Sequence, residues 1–169
     1  MILISGGARS GKSKFAAGLA KKQCKTVAYI ATAPVCDKEM EERVRLHRKA
    51  RPKSWVTIEA KKDMLPNLTK IPKRCDGVII ECIGTYVSNL MMDGFSDLEI
   101  MKNIKKILRN LKKLDKKIFI ISNEVGGGIV PDTISGRQFR DIVGNANQII
   151  AKYADEVYLV TIGLPLRIK

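Results

Sequence analysis

The 169-residue sequence is poor in aromatic residues (5%), has one histidine, and contains no apolar run long enough to span a membrane. Its four cysteines form no Cys-x-x-Cys pair and show no zinc-binding spacing; they are Cys24, Cys36, Cys75 and Cys82. A disulfide-rich secreted domain and a structural zinc site are therefore not indicated, and we interpret the cysteines as reduced packing residues. The first residues are typical of a strand rather than a signal peptide, so we expect a cytoplasmic protein without a membrane span.

Negative charge is also scarce, since 31 Lys and Arg residues stand against 17 Asp and Glu residues and give a net charge of +14. Many cations fall on a predicted helix from Asp97 to Lys117, on the side away from an apolar stripe. The cations are Lys102, Lys105, Lys106, Arg109, Lys112 and Lys113, and the stripe is Met101, Ile104, Leu108 and Leu111. We interpret this face as solvated. A nucleic-acid patch is the alternative, although no aromatic residue between Lys102 and Lys117 offers a stacking surface.

The order of apolar runs predicts an α/β fold. Short β-branched runs alternate with helical patterns; they are Met1–Ser5, Thr26–Ala31, Trp55–Glu59, Gly77–Cys82, Lys117–Ser122 and Glu156–Ile162. Helices are predicted over Asp37–Ala50, after a capping box at Ser96, and along an apolar stripe from Phe139 to Tyr153. We expect residues 1–169 to form one RecA-like P-loop domain, with a mostly parallel sheet covered by helices on both faces. Its ligands are expected at the carboxyl ends of the strands.

The first apolar run leads into a glycine-rich segment that carries the chemistry of phosphate binding. The segment is Gly6, Gly7, Ala8, Arg9, Ser10, Gly11, Lys12 and Ser13. Its spacing, Gly-x-x-x-x-Gly-Lys-Ser between a strand and a helix, is that of a loop whose backbone N–H groups surround nucleotide phosphates. Lys12 is expected to reach the β and γ oxygens, and the Ser13 hydroxyl to bind Mg²⁺. The sequence therefore predicts that the chain binds a nucleoside triphosphate.

Three carboxylates follow predicted strands and are candidates for the same site. Glu81 ends a buried run, as does the acidic residue that holds Mg²⁺ in other P-loop proteins, so we predict Ser13 and Glu81 as the metal-binding pair. Glu124 repeats this layout before the glycine-rich segment 125–131, which either lets a backbone approach a ligand or forms a mobile turn. Glu59 ends the third run and can equally be an exposed edge residue.

His47 lies on the predicted Asp37–Ala50 helix, seven residues after Met40 and three after Val44, and so shares their apolar stripe. Spacing alone leaves two interpretations open. The imidazole is either a partly buried, hydrogen-bonded side chain, or a nucleophile directed at a nucleotide, with neighbouring cations offsetting the phosphate charge.

Several segments together resemble one family, the bifunctional adenosylcobinamide kinase/adenosylcobinamide-phosphate guanylyltransferases of cobalamin biosynthesis. The matching segments are GGARSGKS at 6, YIAT at 29, DKEMEERVRLHRKARPKSW at 37, IIECIGTYVSNL at 79, NEVGGGIVP at 123 and FRDIVGNANQ at 139. They cover nearly the whole chain in the family's order. Ala33, Pro34 and Gly84 stand where relatives often carry polar residues.

The resemblance implies two reactions. In the first, the aminopropanol hydroxyl of adenosylcobinamide takes the γ-phosphoryl group of ATP or GTP, with Mg²⁺. In the second, a histidine, which falls on His47, attacks the α-phosphorus of GTP and passes GMP to adenosylcobinamide phosphate. The resemblance also implies a homotrimer with sites between subunits. It places nucleotide contacts on the phosphate-loop residues 6–13 and on Thr32, Ala33, Pro34, Arg48, Lys49, Ala50, Arg51, Glu59 and Glu81.

Two rival functions remain at this point. A P-loop kinase of small molecules without the second activity would show the same phosphate loop and strand-end acid. A nucleotide-switched nucleic-acid-binding module would use the +14 charge.

Overall fold

The computed structural model describes residues 1–34, 37–49 and 51–169, so Cys36 and Ala50 lie outside the described residues. The strands are β1 (Ile2–Gly6), β2 (Val27–Ala31), β3 (Val56–Glu59), β4 (Gly77–Glu81), β5 (Lys117–Asn123), β6 (Glu156–Thr161) and β7 (Leu164–Arg167). The helices are α1 (Lys12–Gln23), α2 (Lys38–Lys49), α3 (Met64–Leu68), α4 (Ile83–Met92), α5 (Asp97–Lys112) and α6 (Ile134–Tyr153).

The strands form one seven-stranded sheet in the order β3-β2-β4-β5-β1-β6-β7, parallel except for β7. The core cluster on one face includes Ala16 and Ala20 of α1. The cluster on the other face includes side chains of α3, α4, α5 and α6. The prediction of a mostly parallel sheet between helices is therefore confirmed. β5 lies between β1 and β4, which brings the carboxyl ends of these three strands side by side.

Local signals explain why the predicted helices form. Ser96 and Glu99 make the reciprocal hydrogen bonds of a capping box at the start of α5. The Asp37 carboxylate accepts the Met40 N–H at 2.7 Å at the start of α2. The apolar side of α5 is buried, whereas its six predicted outward cations are exposed, as expected for a solvated face.

Three elements were not predicted, each for a physical reason. α4 buries six of its ten residues, including Tyr86 and Val87, and so lacks the narrow apolar stripe of a surface helix. α3 is five residues long and contains Pro66. All four residues of β7 are exposed, so its sequence carries no buried alternation. The lysine-rich helix also ends at Lys112, earlier than predicted, because Lys117 already begins β5.

The described cysteines are free thiols that pack within the fold. Cys75 is buried, whereas Cys24 and Cys82 are half-buried. Burial raises the pKa of the Cys24 and Cys75 thiols, so both stay protonated near neutral pH. This confirms the interpretation of these three as packing residues. Across the described residues, no helix has the length and apolar character needed to cross a membrane.

Two glycines give opposite predictions for stability. A Cβ on Gly144, inside α6, would meet no atom within 4 Å, so Gly144→Ala should raise the free energy of unfolding by about 0.5–1 kcal/mol. A Cβ on Gly77 would lie 2.6 Å from the Cys24 sulfur, so Gly77→Ala should lower it by about 1–3 kcal/mol. Urea denaturation of the two variants checks both signs. Equal effects of the two substitutions would contradict the packing described here.

Candidate active site

The phosphate loop runs from the end of β1 to the first turn of α1, where helix N–H groups point toward a bound anion. Gly11 has φ +93°, a left-handed conformation that glycine adopts without a steric penalty. A Cβ on Gly6 would lie 2.4 Å from the Val160 carbonyl oxygen, so only glycine fits beside β6. The Gly163 N–H donates to the Ser10 carbonyl at 2.9 Å, which ties the loop to the β6–β7 turn. Ala8 and Arg9 are exposed on the loop, and Gly7 is half-buried.

Lys12, Ser13 and Glu81 meet at the carboxyl edge of the sheet. The Lys12 ammonium donates to the Gly7 carbonyl at 3.0 Å, and the Ser13 hydroxyl donates to the Glu81 carboxylate. Burial raises the pKa of the Glu81 carboxyl, while the Ser13 hydrogen bond and the charge of Lys12 oppose that shift. A hydroxyl and a carboxylate side by side are the oxygen ligands that Mg²⁺ prefers, so this pair fits a magnesium ion.

A cavity of about 210 Å³ opens beside this pair, between α2 and the carboxyl ends of β2, β3 and β4. Its lining residues are Tyr29, Ala31, Ala33, Met40, Val44, His47, Arg48, Arg51, Glu59, Glu81, Cys82 and Thr85. Met40, Val44 and His47 share the side of α2 that faces the cavity, as their spacing predicts. His47 itself is exposed. The sole histidine of the sequence and Glu81, the glutamate predicted to bind the metal ion, thus line one cavity.

Two cations at and just after the end of α2, Arg48 and Arg51, are held at the cavity by side-chain contacts. Arg48 forms an ion pair with Glu59 at 2.6 Å, with both side chains more than half exposed. The Arg51 guanidinium lies 3.3 Å from the centre of the Tyr29 ring and donates to the Thr57 hydroxyl at 3.1 Å. Burial, and to a smaller extent the charge of Arg48, lowers the pKa of Arg51 to about 10, so this side chain remains cationic at neutral pH.

The other predicted contacts are distributed around this cavity. Thr32 is fully buried. Its hydroxyl accepts the Cys82 N–H at 2.8 Å and donates to the Cys82 carbonyl at 2.9 Å, so its side chain is already hydrogen-bonded within the protein. Ala33 lines the cavity, and Pro34 is half-buried. Lys49 is exposed and lines a neighbouring groove together with Arg48 and Arg51. The predicted contact at Ala50 falls outside the described residues.

Glu124 forms hydrogen bonds that stabilise its own loop. Its backbone N–H donates to the Gly6 carbonyl at 3.0 Å, which joins this loop to the start of the phosphate loop. Its carboxylate accepts the N–H groups of Gly126 at 2.7 Å and Gly127 at 3.3 Å. The glycine run is therefore a turn held by Glu124, next to the phosphate site.

Sequence reasoning missed several residues that shape the cavity. The Arg51 guanidinium lies over the Tyr29 ring, and this ring stacks on Trp55 with ring centroids 6.4 Å apart. Cys82 and Thr85 form the wall that follows Glu81. Tyr29 lies in an otherwise apolar strand, and nothing in its sequence context indicates that Arg51 would fold over its ring.

The parallel sheet, the glycine loop at the start of α1 and the strand-end acid that meets Ser13 define the chain as an α/β protein of the P-loop nucleotide-binding class. Comparison with protein families gives the particular assignment. A family model described as cobinamide kinase / cobinamide phosphate guanyltransferase matches residues 2–168. The chain belongs to this family.

Named relatives match over the full length of the chain. It is 36% identical to the bifunctional adenosylcobalamin biosynthesis protein CobU of Escherichia coli and 38% identical to that of Salmonella typhimurium, covering 100% of this chain and 99% of each relative. It is 34% identical to the CobP protein of Pseudomonas aeruginosa, over 99% of this chain and 96% of that protein.

Similar solved structures support the fold alone. A KaiC-like protein of Pyrococcus horikoshii has a TM-score of 0.55 at 12% identity, covering 94% of this chain and 69% of that one. An ATPase from a bacterial type III secretion system has a TM-score of 0.59 at 12% identity, covering 98% of this chain and 57% of that one.

The Ser13–Glu81 pair predicts how a substitution changes the dependence on metal. Glu81→Gln keeps an acceptor for Ser13 but removes the charge, so the Mg²⁺ concentration that half-saturates GTP binding should rise about ten- to hundredfold. Titration of a fluorescent GTP analogue with Mg²⁺ measures this. Glu59→Gln is the matched control and should leave the Mg²⁺ dependence unchanged. If the Mg²⁺ dependence of GTP binding were unchanged in Glu81→Gln, Ser13 and Glu81 would not be the metal site.

Proposed function

We propose that residues 1–169 act as one catalytic domain that phosphorylates adenosylcobinamide with ATP or GTP and then transfers GMP from GTP to the phosphorylated product. One observation carries the proposal. His47 and Glu81 line a single cavity, and Glu81 is hydrogen-bonded to Ser13 of the phosphate loop. Membership of the cobinamide kinase / cobinamide phosphate guanyltransferase family supports the choice of substrate.

In the kinase step, the substrate hydroxyl oxygen forms a bond to the γ-phosphorus while the bond to the β,γ-bridging oxygen breaks. The loop N–H groups and Lys12 hold the phosphates and offset the charge that spreads over the transferred group. Ser13 and Glu81 would hold Mg²⁺, which neutralises charge on the β and γ oxygens when bound. The hydroxyl proton passes to solvent.

In the guanylyl step, a neutral imidazole nitrogen of His47 attacks the α-phosphorus of GTP, and pyrophosphate leaves as the bond to the α,β-bridging oxygen breaks. The phosphate of the cobinamide substrate then displaces the histidine and takes the GMP group. Arg48 and Arg51 line the same cavity as His47, so their guanidinium groups can hold the triphosphate there.

The second step requires the α-phosphorus to come within about 3–3.5 Å of the histidine nitrogen. The phosphate-loop residues are absent from the lining of the His47 cavity, which reaches that loop through Glu81. Among the α2 side chains that the structure describes, none is buried. Moving α2 therefore breaks little apolar packing, and we infer that α2 shifts toward the phosphate loop or that the nucleotide binds in two poses.

The His47→Ala variant separates the bifunctional enzyme from a kinase that lacks the second activity. With GTP labelled at the α-phosphate, the wild-type protein should gain a label that is acid-labile and base-stable, as a phosphoramidate is. His47→Ala should lose this label and keep most of the kinase activity, because its phosphate loop is intact. Leu46→Ala, which changes an exposed neighbour on α2, should still be labelled. An unlabelled wild-type protein would leave only the kinase.

We also propose that the chain forms a homotrimer, as its family resemblance implies, and that it acts in the cytoplasm. Exposed apolar side chains at and beside β7 support an assembly, since Leu164, Leu166 and Ile168 are 65%, 60% and 62% exposed. Sedimentation equilibrium should give about three times the 18.8 kDa mass of the chain. A monomer at micromolar concentration would contradict the trimer, and cell fractionation tests the location.

A further inference from the structure

Asn123 occupies the middle of the carboxyl edge of the sheet. It is the last residue of β5, the strand between β1, which leads to the phosphate loop, and β4, which ends in Glu81. In the strand register Asn123 is opposite Gly6, the first residue of the loop. Glu81 is opposite Ile121, so Asn123 extends two residues beyond Glu81 at the carboxyl edge, beside the start of the phosphate loop.

Strand alternation places the Asn123 side chain on the α1 side of the sheet. Phe119 and Ile121, at the same alternation, pack in the core cluster that contains the buried alanines of α1. Helix α1 begins with Lys12 and Ser13. By this alternation Asn123 projects from the α1 side at the carboxyl edge of the sheet, where its side chain also reaches the start of α4.

Two neighbours hold Asn123 in place. Its carbonyl accepts the side-chain N–H of Asn147 in α6 at 2.9 Å. Its side chain lies against Gly84 at the start of α4, where a Cβ would come within 3.1 Å of the Asn123 amide nitrogen. The lack of a side chain at Gly84 thus leaves room for this amide.

The amide itself is available to a ligand. The side chain is half-buried, and within residues 1–34, 37–49 and 51–169 no group forms a hydrogen bond with it. When a ligand covers the site, this amide loses its hydrogen bonds to water. A hydrogen bond to the ligand would replace them.

We propose that the Asn123 side-chain amide donates a hydrogen bond to a γ-phosphoryl oxygen during the kinase step. This inference rests on the proposed kinase function. Asn123 moves no proton. It supplies a donor at the strand end beside the phosphate loop, for the negative charge that spreads over the phosphoryl oxygens as the bond to the β,γ-bridging oxygen breaks. The guanylyl step breaks a bond at the α-phosphorus instead, so its rate at saturating GTP does not depend on this donor.

The experiment compares Asn123→Ala and Asn123→Asp in the full-length protein, with ATP and cobinamide for the kinase and α-labelled GTP for histidine labelling. Asn123→Ala should lower the kinase kcat about 10- to 100-fold, and Asn123→Asp about 100- to 1000-fold, because aspartate replaces the donor with a repelling charge. The KM for ATP and the rate of histidine labelling at saturating GTP should change by less than about threefold.

Which of the two variants has the lower kinase kcat distinguishes this role from a packing role. Aspartate keeps the shape of asparagine, so a purely structural residue would tolerate Asp better than Ala. Gly84→Ala provides an independent variant, because its new Cβ pushes the amide aside and should lower the kinase kcat about three- to tenfold. Gly144→Ala, a helical glycine facing open space, is the matched control and should keep full activity.

Each failure has a distinct signature. A wild-type protein without kinase activity would overturn the proposed function rather than the role of Asn123. An active wild-type protein whose Asn123→Asp variant keeps its kinase kcat would overturn the inference alone. Equal losses of kinase activity and histidine labelling would also overturn it, since they indicate general damage to the site. Circular dichroism melting identifies a variant that fails to fold, and in that case Gly84→Ala decides the outcome.

Discussion

The hydrogen bond from Ser13 to Glu81 is the contact on which the site depends. It joins the first turn of α1 to the end of β4, across the carboxyl end of β5. Because β5 lies between β1 and β4, a serine and a glutamate that are 68 residues apart meet where the helix N-terminus favours negative charge. Ser13, Glu81, Asn123 and the phosphate loop all take their positions from this strand order.

The two proposed reactions make different demands on one molecule. The phosphate loop sits on a rigid base, since Gly6 packs against the Val160 carbonyl and Ser10 bonds to the β6–β7 turn. Helix α2 is held instead by exposed ionic contacts such as Arg48 with Glu59, which contribute little stability in water. A rigid phosphate loop beside a helix with exposed ionic contacts suits the two proposed steps, one at the γ-phosphorus and one at the α-phosphorus.

Much of the fold follows from local patterns, and the exceptions share a cause. The phosphate loop, the α5 capping box and the stripe of α6 depend on residues close together in the chain, so their spacing predicts them. Most residues of helix α4 are buried and all four residues of β7 are exposed, so neither shows a clear periodic contrast between buried and exposed positions. In the site, the spacing of Met40, Val44 and His47 predicts a shared face, but not that Glu81 borders the same cavity.

By itself the sequence determined that a strand, a glycine loop and a helix bind phosphate, that β-α alternation makes a parallel sheet, and that the segment motifs resemble one enzyme family. These features depend on short-range spacing, which the chain carries in its order of residues. Only the tertiary structure decided that Arg51 lies over Tyr29, that the Thr32 hydroxyl is hydrogen-bonded to Cys82, and that Gly84 leaves space for the Asn123 side chain. Those contacts join residues 22, 50 and 39 positions apart, and packing across the sheet edge, not local propensity, brings them together.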